Sequence, residues 1–429
     1  MDFRIATWLV LCICITSGSC VVIRNPAFRI EWQEALGLKT SLRLSPVIML
    51  PGDGGSQLQA RLNKPSVPHY FCVQKTADWF DLWLNVELLL PYVIDCWVDN
   101  MRMVYNNETG KTENAPGVEV QVSGFGNSNS VEYLDASHLS ISKYFLDIAN
   151  LLVSHGYKRD VSLRGAPYDF RRTPNELPEY FTDLKKLIED TYEMNNQTAV
   201  TFVAHSMGNL FGLYFLQQQT TEWKGKYMQG FIALGAPWAG AAKAIKAFAT
   251  GDNLDVALIS AFRVRAEQRT NPSLTFIMPN AESKVWTHKR IFVSTPAKNY
   301  SLANMEEFFV DLGYPEGWEM YQRTANILNL KPPGVPMYCM YGVGVNTPET
   351  MVYGPGKFPD KNPNVVFGDG DGTVNRESLE YCDNWNDPED NDPMTSATLF
   401  PFQGVTHMTV LSDKAVLAEI GKLLPALAN

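Results

Sequence analysis

Residues 201–211 place one serine between an apolar run and an amphipathic run, in the order TFVAHSMGNLF. This order predicts a strand, a sharp turn at Ser206 and a helix, which together form a nucleophile elbow. Such a crowded turn needs small residues two before and two after the serine, and Ala204 and Gly208 supply them. Glycine is the usual residue at the first of these positions. The five-residue pattern alone is weak evidence for a nucleophile. The prediction that Ser206 attacks acyl carbons therefore depends on the place of the pattern between a strand and a helix.

A serine hydroxyl becomes a good nucleophile only when a base takes its proton and an acid holds that base. His407 is the best base, because it follows the acidic candidates and precedes a final helix predicted at residues 413–424. His205 adjoins the serine, where its side chain should point into the fold. The remaining histidines precede any suitable acid in the expected chain order: His69, His138, His155 and His288.

Asp369 and Asp371 lie on a glycine-rich turn in residues 367–374, FGDGDGTV, and we favour Asp371 as the acid. A surface turn or a calcium loop is the alternative, but the third ligand position and the closing glutamate of an EF-hand are missing. The resulting chain order, serine then aspartate then histidine, is that of α/β-hydrolases.

Two backbone N–H groups must stabilise the oxyanion of the tetrahedral intermediate. Met207, directly after the nucleophile, is expected to supply one. The turn at residues 50–55, LPGDGG, is expected to supply the other from Asp53. An ordinary glycine-rich turn is the alternative. A phosphate-binding loop is excluded because no Gly-Lys-Ser/Thr follows.

Short apolar runs at residues 46–50, 199–203, 231–234 and 337–343 alternate with helical patterns at 141–154, 179–194 and 207–217. This alternation predicts the α/β class, with a mostly parallel sheet covered on both faces. Two stretches, about 65–125 and about 238–336, do not follow this alternation of strands and helices. We expect them to be insertions above the sheet.

The N-terminus predicts entry into the secretory route. Arg4, an apolar run and small residues have the order of a signal peptide over residues 1–20, with a bacterial lipoprotein signal ending at Cys20 as the alternative. Three sequons agree with the secretory route in a eukaryote: Asn107, Asn196 and Asn299.

The formal charge of −10 argues against nucleic acid as a partner.

Four cysteines remain beyond the signal, and an even number in an oxidising compartment suggests two disulfides. Short-range closure favours Cys72 with Cys96 and Cys339 with Cys382, although four cysteines allow three pairings. Between the first two cysteines, residues 79–92 are dense in aromatic and branched side chains. They suit a core helix or docking at a membrane surface equally well, and the docking residues would be Trp79, Phe80, Trp83 and Leu84.

The chain closely resembles the family of lysosomal phospholipase A2 and lecithin–cholesterol acyltransferase. The motifs that carry the resemblance are PGD at 51–53, CWVDN at 96–100, RGAPYDFRR at 164–172, AHSMGN at 204–209, LGAPW at 234–238 and GDGDGTVN at 368–375. Asp53 and the GDGTV sequence make the chain more similar to the phospholipase branch. The likeness implies an α/β-hydrolase domain over residues 21–429, a membrane-binding subdomain near 65–125, and a cap at 238–336 with a mobile lid near 238–269.

The resemblance further implies the triad Ser206, Asp371 and His407, oxyanion donors at Asp53 and Met207, and the two short disulfides. It implies a phospholipase A that passes an acyl group from Ser206 to water or to a lipid alcohol such as ceramide, at a phospholipid membrane surface. No cofactor or metal is expected, and the lysosomal lumen or the extracellular space is the expected location. The alternatives are sterol esterification, a general lipase or carboxylesterase, and an inactive lipid-binding protein.

Overall fold

A computed structural model describes residues 44–138, 142–253, 260–386 and 396–427, and two short strands near the N-terminus. Those strands, Ile13–Cys14 and Cys20–Val21, pair antiparallel and belong to a separate unit, residues 1–43. The rest of the predicted signal peptide, and residues 254–259 of the predicted lid, lie outside the described residues. In the described part of the chain, no helix is both long and apolar enough to cross a membrane.

The central sheet has six strands, which we number β1 to β6 in chain order, and every pairing in it is parallel. The strands are β1 Val47–Leu50, β2 Leu163–Gly165, β3 Val200–His205, β4 Met228–Leu234, β5 Met337–Val343 and β6 Ala397–Gln403. They lie side by side in the order β6-β5-β4-β3-β1-β2. The predicted α/β class with a parallel sheet is confirmed.

Helices cover both faces of this sheet, so its central strands are mostly apolar. Ile48 and Leu50 of β1 join one core cluster, while Val47 and Met49 join the other. The first cluster is closed by the helices Pro178–Met194 and Met207–Gln217. The second is closed by Leu146–Ser154 and Lys414–Leu427. Short helices also lie at Asn129–Glu132, Thr221–Tyr227 and Arg376–Leu379.

The first predicted insertion forms a small antiparallel unit beside the sheet. Its three-stranded sheet contains Leu58–Leu62, Phe80–Trp83 and Val118–Val122, so the unit begins earlier than residue 65. A hairpin, Met103–Asn106 with Lys111–Asn114, and a helix, Ile94–Met101, complete it. The predicted disulfide Cys72–Cys96 ties this helix to the loop before the second strand.

The second predicted insertion has its own core, built around Trp286, Phe292, Phe308 and Phe309. Its helices are Ala242–Thr250, Ala261–Gln268, Pro272–Phe276, Met305–Asp311 and Glu316–Thr324. Its four-stranded sheet joins Asn299–Tyr300 and Val293–Ser294 to Thr347–Val352 and Asn364–Gly368. Because two of these strands follow β5, the layer extends beyond residue 336.

Short 3₁₀ helices occupy several connections: Val86–Leu89, Pro174–Glu176, Ala281–Ser283, Leu302–Asn304, Glu380–Trp385 and Thr409–Leu411. The second predicted disulfide, Cys339–Cys382, joins β5 to the segment Glu380–Trp385. Both disulfide pairings favoured from the sequence are therefore confirmed.

A fully buried arginine connects the sheet to the first insertion. Arg171 forms two hydrogen bonds to the carboxylate of Asp169, at 2.8 and 2.7 Å. Its remaining donors reach the carbonyl oxygen of Met101 at 3.0 Å and the side chain of Asn114 at 2.8 Å. One guanidinium thus holds together the loop after β2, the end of a helix and a hairpin.

We expect Arg171→Gln to lower the free energy of unfolding by about 3 kcal/mol, because the buried carboxylate of Asp169 then keeps only its longer contact with Arg172, at 3.4 Å. Urea unfolding followed by circular dichroism measures this change. Arg61→Gln is the matched control, since its ion pair with Glu119 is solvent-exposed and contributes less than about 1 kcal/mol. Equal losses in the two variants would contradict the connecting role of Arg171.

Candidate active site

Ser206 occupies the turn between β3 and the helix Met207–Gln217, with backbone angles φ 55° and ψ −130°. Few residues other than glycine adopt a positive φ, and the conformation costs free energy. Hydrogen bonds hold the turn. The Ser206 N–H donates to the carbonyl oxygen of Leu234 at 2.9 Å, and the Asn209 amide donates to the carbonyl oxygens of Ser206 at 2.9 Å and Leu234 at 3.1 Å.

The turn is crowded, which explains the small residues that flank it. A Cβ atom on Gly208 would lie 2.4 Å from the carbonyl oxygen of Pro51. A Cβ atom on Gly52 would lie 2.6 Å from the Cβ atom of Ser206. Ala204 is fully buried in β3, where its methyl group fits. The loop that follows β1 therefore passes directly beside the serine.

Ser206, His407 and Asp371 lie in line within hydrogen-bonding distance. His407 Nε2 is 2.9 Å from Ser206 Oγ, and His407 Nδ1 is 2.7 Å from Asp371 Oδ2. Asp371 and His407 are buried, while Ser206 is partly accessible. A base placed between a serine hydroxyl and a carboxylate is the geometry that activates serine as a nucleophile.

Asp371, and not Asp369, is the carboxylate that faces the histidine. Its second oxygen, Oδ1, accepts the N–H groups of Thr373 at 3.0 Å and Val374 at 2.7 Å, which fixes its orientation. Asp369 instead accepts the Gly344 N–H and forms an exposed ion pair with Arg376. The preference for Asp371 drawn from the sequence agrees with this geometry.

The two predicted oxyanion donors lie on the segments that adjoin Ser206. Met207 is the first residue of its helix, where N–H groups have no partner within the helix and the helix dipole favours negative charge. Asp53 follows Gly52, whose backbone is packed against Ser206. The site can therefore present backbone donors from two sides to an oxygen bound beside the serine.

Two acidic side chains, those of Asp53 and Glu267, titrate above their ordinary range. The Asp53 side chain is accessible to solvent, yet the protein packed around it displaces water and, with the nearby charge of Asp252, raises its pKa to about 6. Burial raises the pKa of Glu267 to about 7; the Asn271 amide opposes this shift, and the charge of Asp53 adds to it. Both carboxyl groups thus change charge over mildly acidic pH.

The prediction that Trp83 docks on a membrane is wrong. Its side chain is only 7% exposed, since pairing with the strand Leu58–Leu62 turns it into the core. Its indole N–H donates to the carbonyl oxygen of Gly54 at 2.7 Å. Phe80 and Leu84 are half-buried against the same core, and Trp79 lies beneath the guanidinium of Arg61.

The exposed large apolar side chains of the first insertion lie elsewhere than at the predicted docking residues. They are Tyr70, Phe71, Val73, Val86, Leu90, Tyr92, Val104 and Phe125. The side chains of the three sequon asparagines are exposed, as glycan attachment requires: Asn107, Asn196 and Asn299.

Sequence reasoning missed Tyr144, whose hydroxyl lies 2.5 Å from His205 Nδ1 beneath the site. No local pattern marks it, because the two residues are 61 positions apart. It also missed the acidic neighbours Asp252 and Glu267, which come from the second insertion. Their only signal would have been their place in a segment expected to cover the serine.

The sheet is parallel, the serine lies on the turn after β3, and the aspartate and histidine lie on later loops. These features define the α/β-hydrolase class. A chain in the crystal structure of the Tle4–Tli4 complex shares this fold, with a TM-score of 0.54 over 90% of this chain and 98% of that chain. Its sequence identity is 13%, so the likeness concerns the fold alone.

The chain belongs to the lecithin:cholesterol acyltransferase family, which it matches over residues 79–329 and 318–414. It is 44% identical to lysosomal phospholipase A and acyltransferase of Rattus norvegicus, over 89% of this chain and 91% of that protein. The protein of that name from Homo sapiens is 43% identical over the same shares. Phosphatidylcholine-sterol acyltransferase of Gallus gallus is 42% identical, over 87% of this chain and 88% of that protein.

We expect ionisation of Asp53 above about pH 6 to lower the hydrolysis of a soluble ester by the parent relative to the Asp53→Asn variant, because ionised Asp53 places negative charge beside the developing oxyanion. Below that pH the carboxyl group is neutral and this penalty is absent. Asp53→Asn should therefore remove this part of the pH profile. The measurement is kcat/KM for p-nitrophenyl butanoate between pH 4 and pH 8, with Glu267→Gln as the control. A decline that persists in Asp53→Asn and disappears in Glu267→Gln would contradict the assignment to Asp53.

Proposed function

We propose that this protein is a phospholipase A and acyltransferase, which removes an acyl chain from a glycerophospholipid and passes it to water or to a lipid alcohol. The observation that carries the proposal is the line of hydrogen bonds from Ser206 through His407 to Asp371. Kinship with enzymes named for phospholipase and acyltransferase activities supports the substrate class.

The first half of the reaction forms an acyl-enzyme. Ser206 Oγ attacks the ester carbonyl carbon while His407 Nε2 takes the hydroxyl proton, and Asp371 stabilises the resulting imidazolium. The negative carbonyl oxygen receives hydrogen bonds from the N–H groups of Met207 and Asp53. When the intermediate collapses, the bond to the lysophospholipid oxygen breaks and His407 returns its proton to that leaving oxygen.

The second half repeats these steps with a new oxygen nucleophile. His407 takes a proton from water or from the hydroxyl of a lipid alcohol, whose oxygen attacks the acyl carbon on Ser206. Collapse breaks the ester bond to Ser206 and returns the proton to Oγ. Transfer to an alcohol needs a site that keeps water out, because water otherwise competes throughout. We assign this covering role to the second insertion, because the charge of its Asp252 raises the pKa of Asp53 and the charge of Asp53 raises the pKa of its Glu267.

We assign membrane docking to the exposed apolar side chains of the first insertion rather than to Trp83. Tyr70 is 98% exposed, and Phe71 and Val73 lie beside it next to the disulfide. Aromatic and branched side chains of this kind partition into the interface of a bilayer. The Trp83 hydrogen bond to Gly54 then connects the docking unit to the loop that carries Asp53.

We place the protein in the lysosomal lumen or outside the cell. Two disulfides suit an oxidising route of synthesis. Exposed sequon asparagines agree with passage through that route.

We expect Ser206→Ala to lower ester turnover by about 10⁴-fold or more, because it removes the nucleophile. Asp371→Asn should lower kcat by about 10⁴-fold, since it no longer holds the histidine in the productive tautomer. Asp369→Asn is the matched control, and we expect its activity to stay within about tenfold of the parent. Turnover retained in Ser206→Ala would reject the mechanism.

The acyl acceptor is identified by incubating the protein with phosphatidylcholine liposomes that contain ceramide, cholesterol or neither. Mass spectrometry then separates free fatty acid, acylceramide and cholesteryl ester. We expect fatty acid from plain liposomes and acylceramide when ceramide is present. Cholesteryl ester as the main product would instead favour sterol esterification. A protein that cleaves p-nitrophenyl butanoate but no phosphatidylcholine would be a general esterase.

We expect the triple substitution of Tyr70, Phe71 and Val73 by serine to reduce turnover of liposomal phosphatidylcholine by about tenfold or more while leaving p-nitrophenyl butanoate hydrolysis unchanged. Losing three interfacial side chains removes a few kcal/mol of apolar burial in the bilayer. Val310→Ser, an exposed apolar position on the helix Met305–Asp311, is the control. Liposome co-sedimentation measures docking directly. Equal co-sedimentation of the parent and the triple variant would reject the assigned surface.

A further inference from the structure

A buried chain of hydrogen bonds runs beneath the nucleophile from one side of the site to the other. The Gly52 N–H donates to the hydroxyl oxygen of Tyr144 at 3.0 Å. That hydroxyl lies 2.5 Å from His205 Nδ1, and His205 Nε2 lies 2.8 Å from the carbonyl oxygen of His407. Tyr144 and His205 are buried.

The partners fix the direction of every bond in this chain. A carbonyl oxygen only accepts, so His205 Nε2 carries the proton that it donates to His407. In the neutral ring Nδ1 is then an acceptor, and the Tyr144 hydroxyl donates to it. The Tyr144 oxygen remains free to accept the Gly52 N–H. All groups are therefore satisfied when His205 is neutral.

The surroundings keep His205 in that neutral form. Burial and, to a lesser extent, the neighbouring His407 lower the pKa of His205 well below its ordinary value, although its bond to the His407 carbonyl opposes them. The two rings lie 4.7 Å apart. A charged His205 would oppose the positive charge that His407 gains when it takes the Ser206 proton.

Each end of the chain holds a segment that the chemistry needs. Gly52 directly precedes Asp53, and its backbone is packed against Ser206. At the other end, the His407 carbonyl is held by His205 while the His407 N–H donates to the Asp371 carbonyl oxygen at 2.8 Å. The chain thus fixes both loops relative to the serine between them.

We propose that Tyr144 and His205 are positioning residues. They fix the positions of the loop that carries Asp53 and of the His407 backbone relative to Ser206. Neither residue touches the substrate. The proposal rests on the proposed function. It adds a contact that holds two loops, separated in sequence by about 350 residues, at a fixed distance from each other. A shift of about 1 Å in either loop is enough to slow such chemistry by about 100-fold.

The first test is Tyr144→Phe, which removes one hydroxyl group and keeps the ring. We expect kcat for p-nitrophenyl butanoate to fall by about 10- to 100-fold with KM changed less than about twofold, since positioning acts on the chemical step. The rate is expressed per active site, counted by fluorophosphonate labelling. Tyr157→Phe is the control, because the buried Tyr157 hydroxyl donates to the carbonyl oxygen of Ser45 and not to a residue of the chain beneath Ser206. The kcat of this variant should be unchanged.

The second test compares two amides at position 205. In His205→Gln the amide nitrogen can take the place of Nε2 and donate to the His407 carbonyl, whereas the shorter side chain in His205→Asn reaches only the Tyr144 side. We expect His205→Gln to retain kcat within about tenfold of the parent and His205→Asn to lose about 100-fold, again per active site. A role confined to stability would change the number of active sites and not this order.

The outcomes separate this proposal from the proposed function. If Tyr144→Phe and His205→Asn keep the parent kcat per active site while Ser206→Ala is inactive, the function stands and the positioning role is rejected. Equal kcat values for His205→Gln and His205→Asn would also reject it. If Ser206→Ala retains turnover, both proposals fall.

Discussion

The positive φ angle of Ser206 is the constraint on which the rest of the site depends. A non-glycine residue held in a sparsely populated region costs about 1–3 kcal/mol, so the surroundings must enforce it. Pairing of β3 with β4, the Asn209 amide and the close packing of Gly208 supply that enforcement. The strained turn places the hydroxyl within reach of His407 and is followed directly by the helix that begins at Met207.

The sequence predicted the parts of the fold that carry local signals. Strands β1, β3, β4 and β5 are mostly apolar runs because both faces of the sheet are covered. Strands β2 and β6 were missed: the first has three residues, and the second contains Pro401, which an edge strand tolerates. The order of serine, aspartate and histidine was predicted because Ser206 and Asp371 stand in distinctive turns and His407 follows them, just before the final helix.

What the sequence could not give is the set of contacts made by segments far apart in the chain. The spacing of Trp79, Phe80, Trp83 and Leu84 shows an apolar stripe but not which side faces the core, and pairing with the strand Leu58–Leu62 decided that Trp83 turns inward. The pKa of Asp53 likewise depends on Asp252, which arrives from the second insertion. Charge and burial at the site are properties of the assembled fold.

The hydrogen bond from Trp83 to Gly54 joins the surface unit to the loop beside the nucleophile. The first insertion and the catalytic loop are therefore structurally coupled. A different sequence in place of this insertion, in evolution or in engineering, would preserve the loop only if it supplied an indole or an equivalent donor to the same carbonyl. We therefore expect the amino-acid sequence to vary freely at exposed positions of the first insertion, such as Tyr70 and Tyr92, and to vary slowly in the strand Phe80–Trp83.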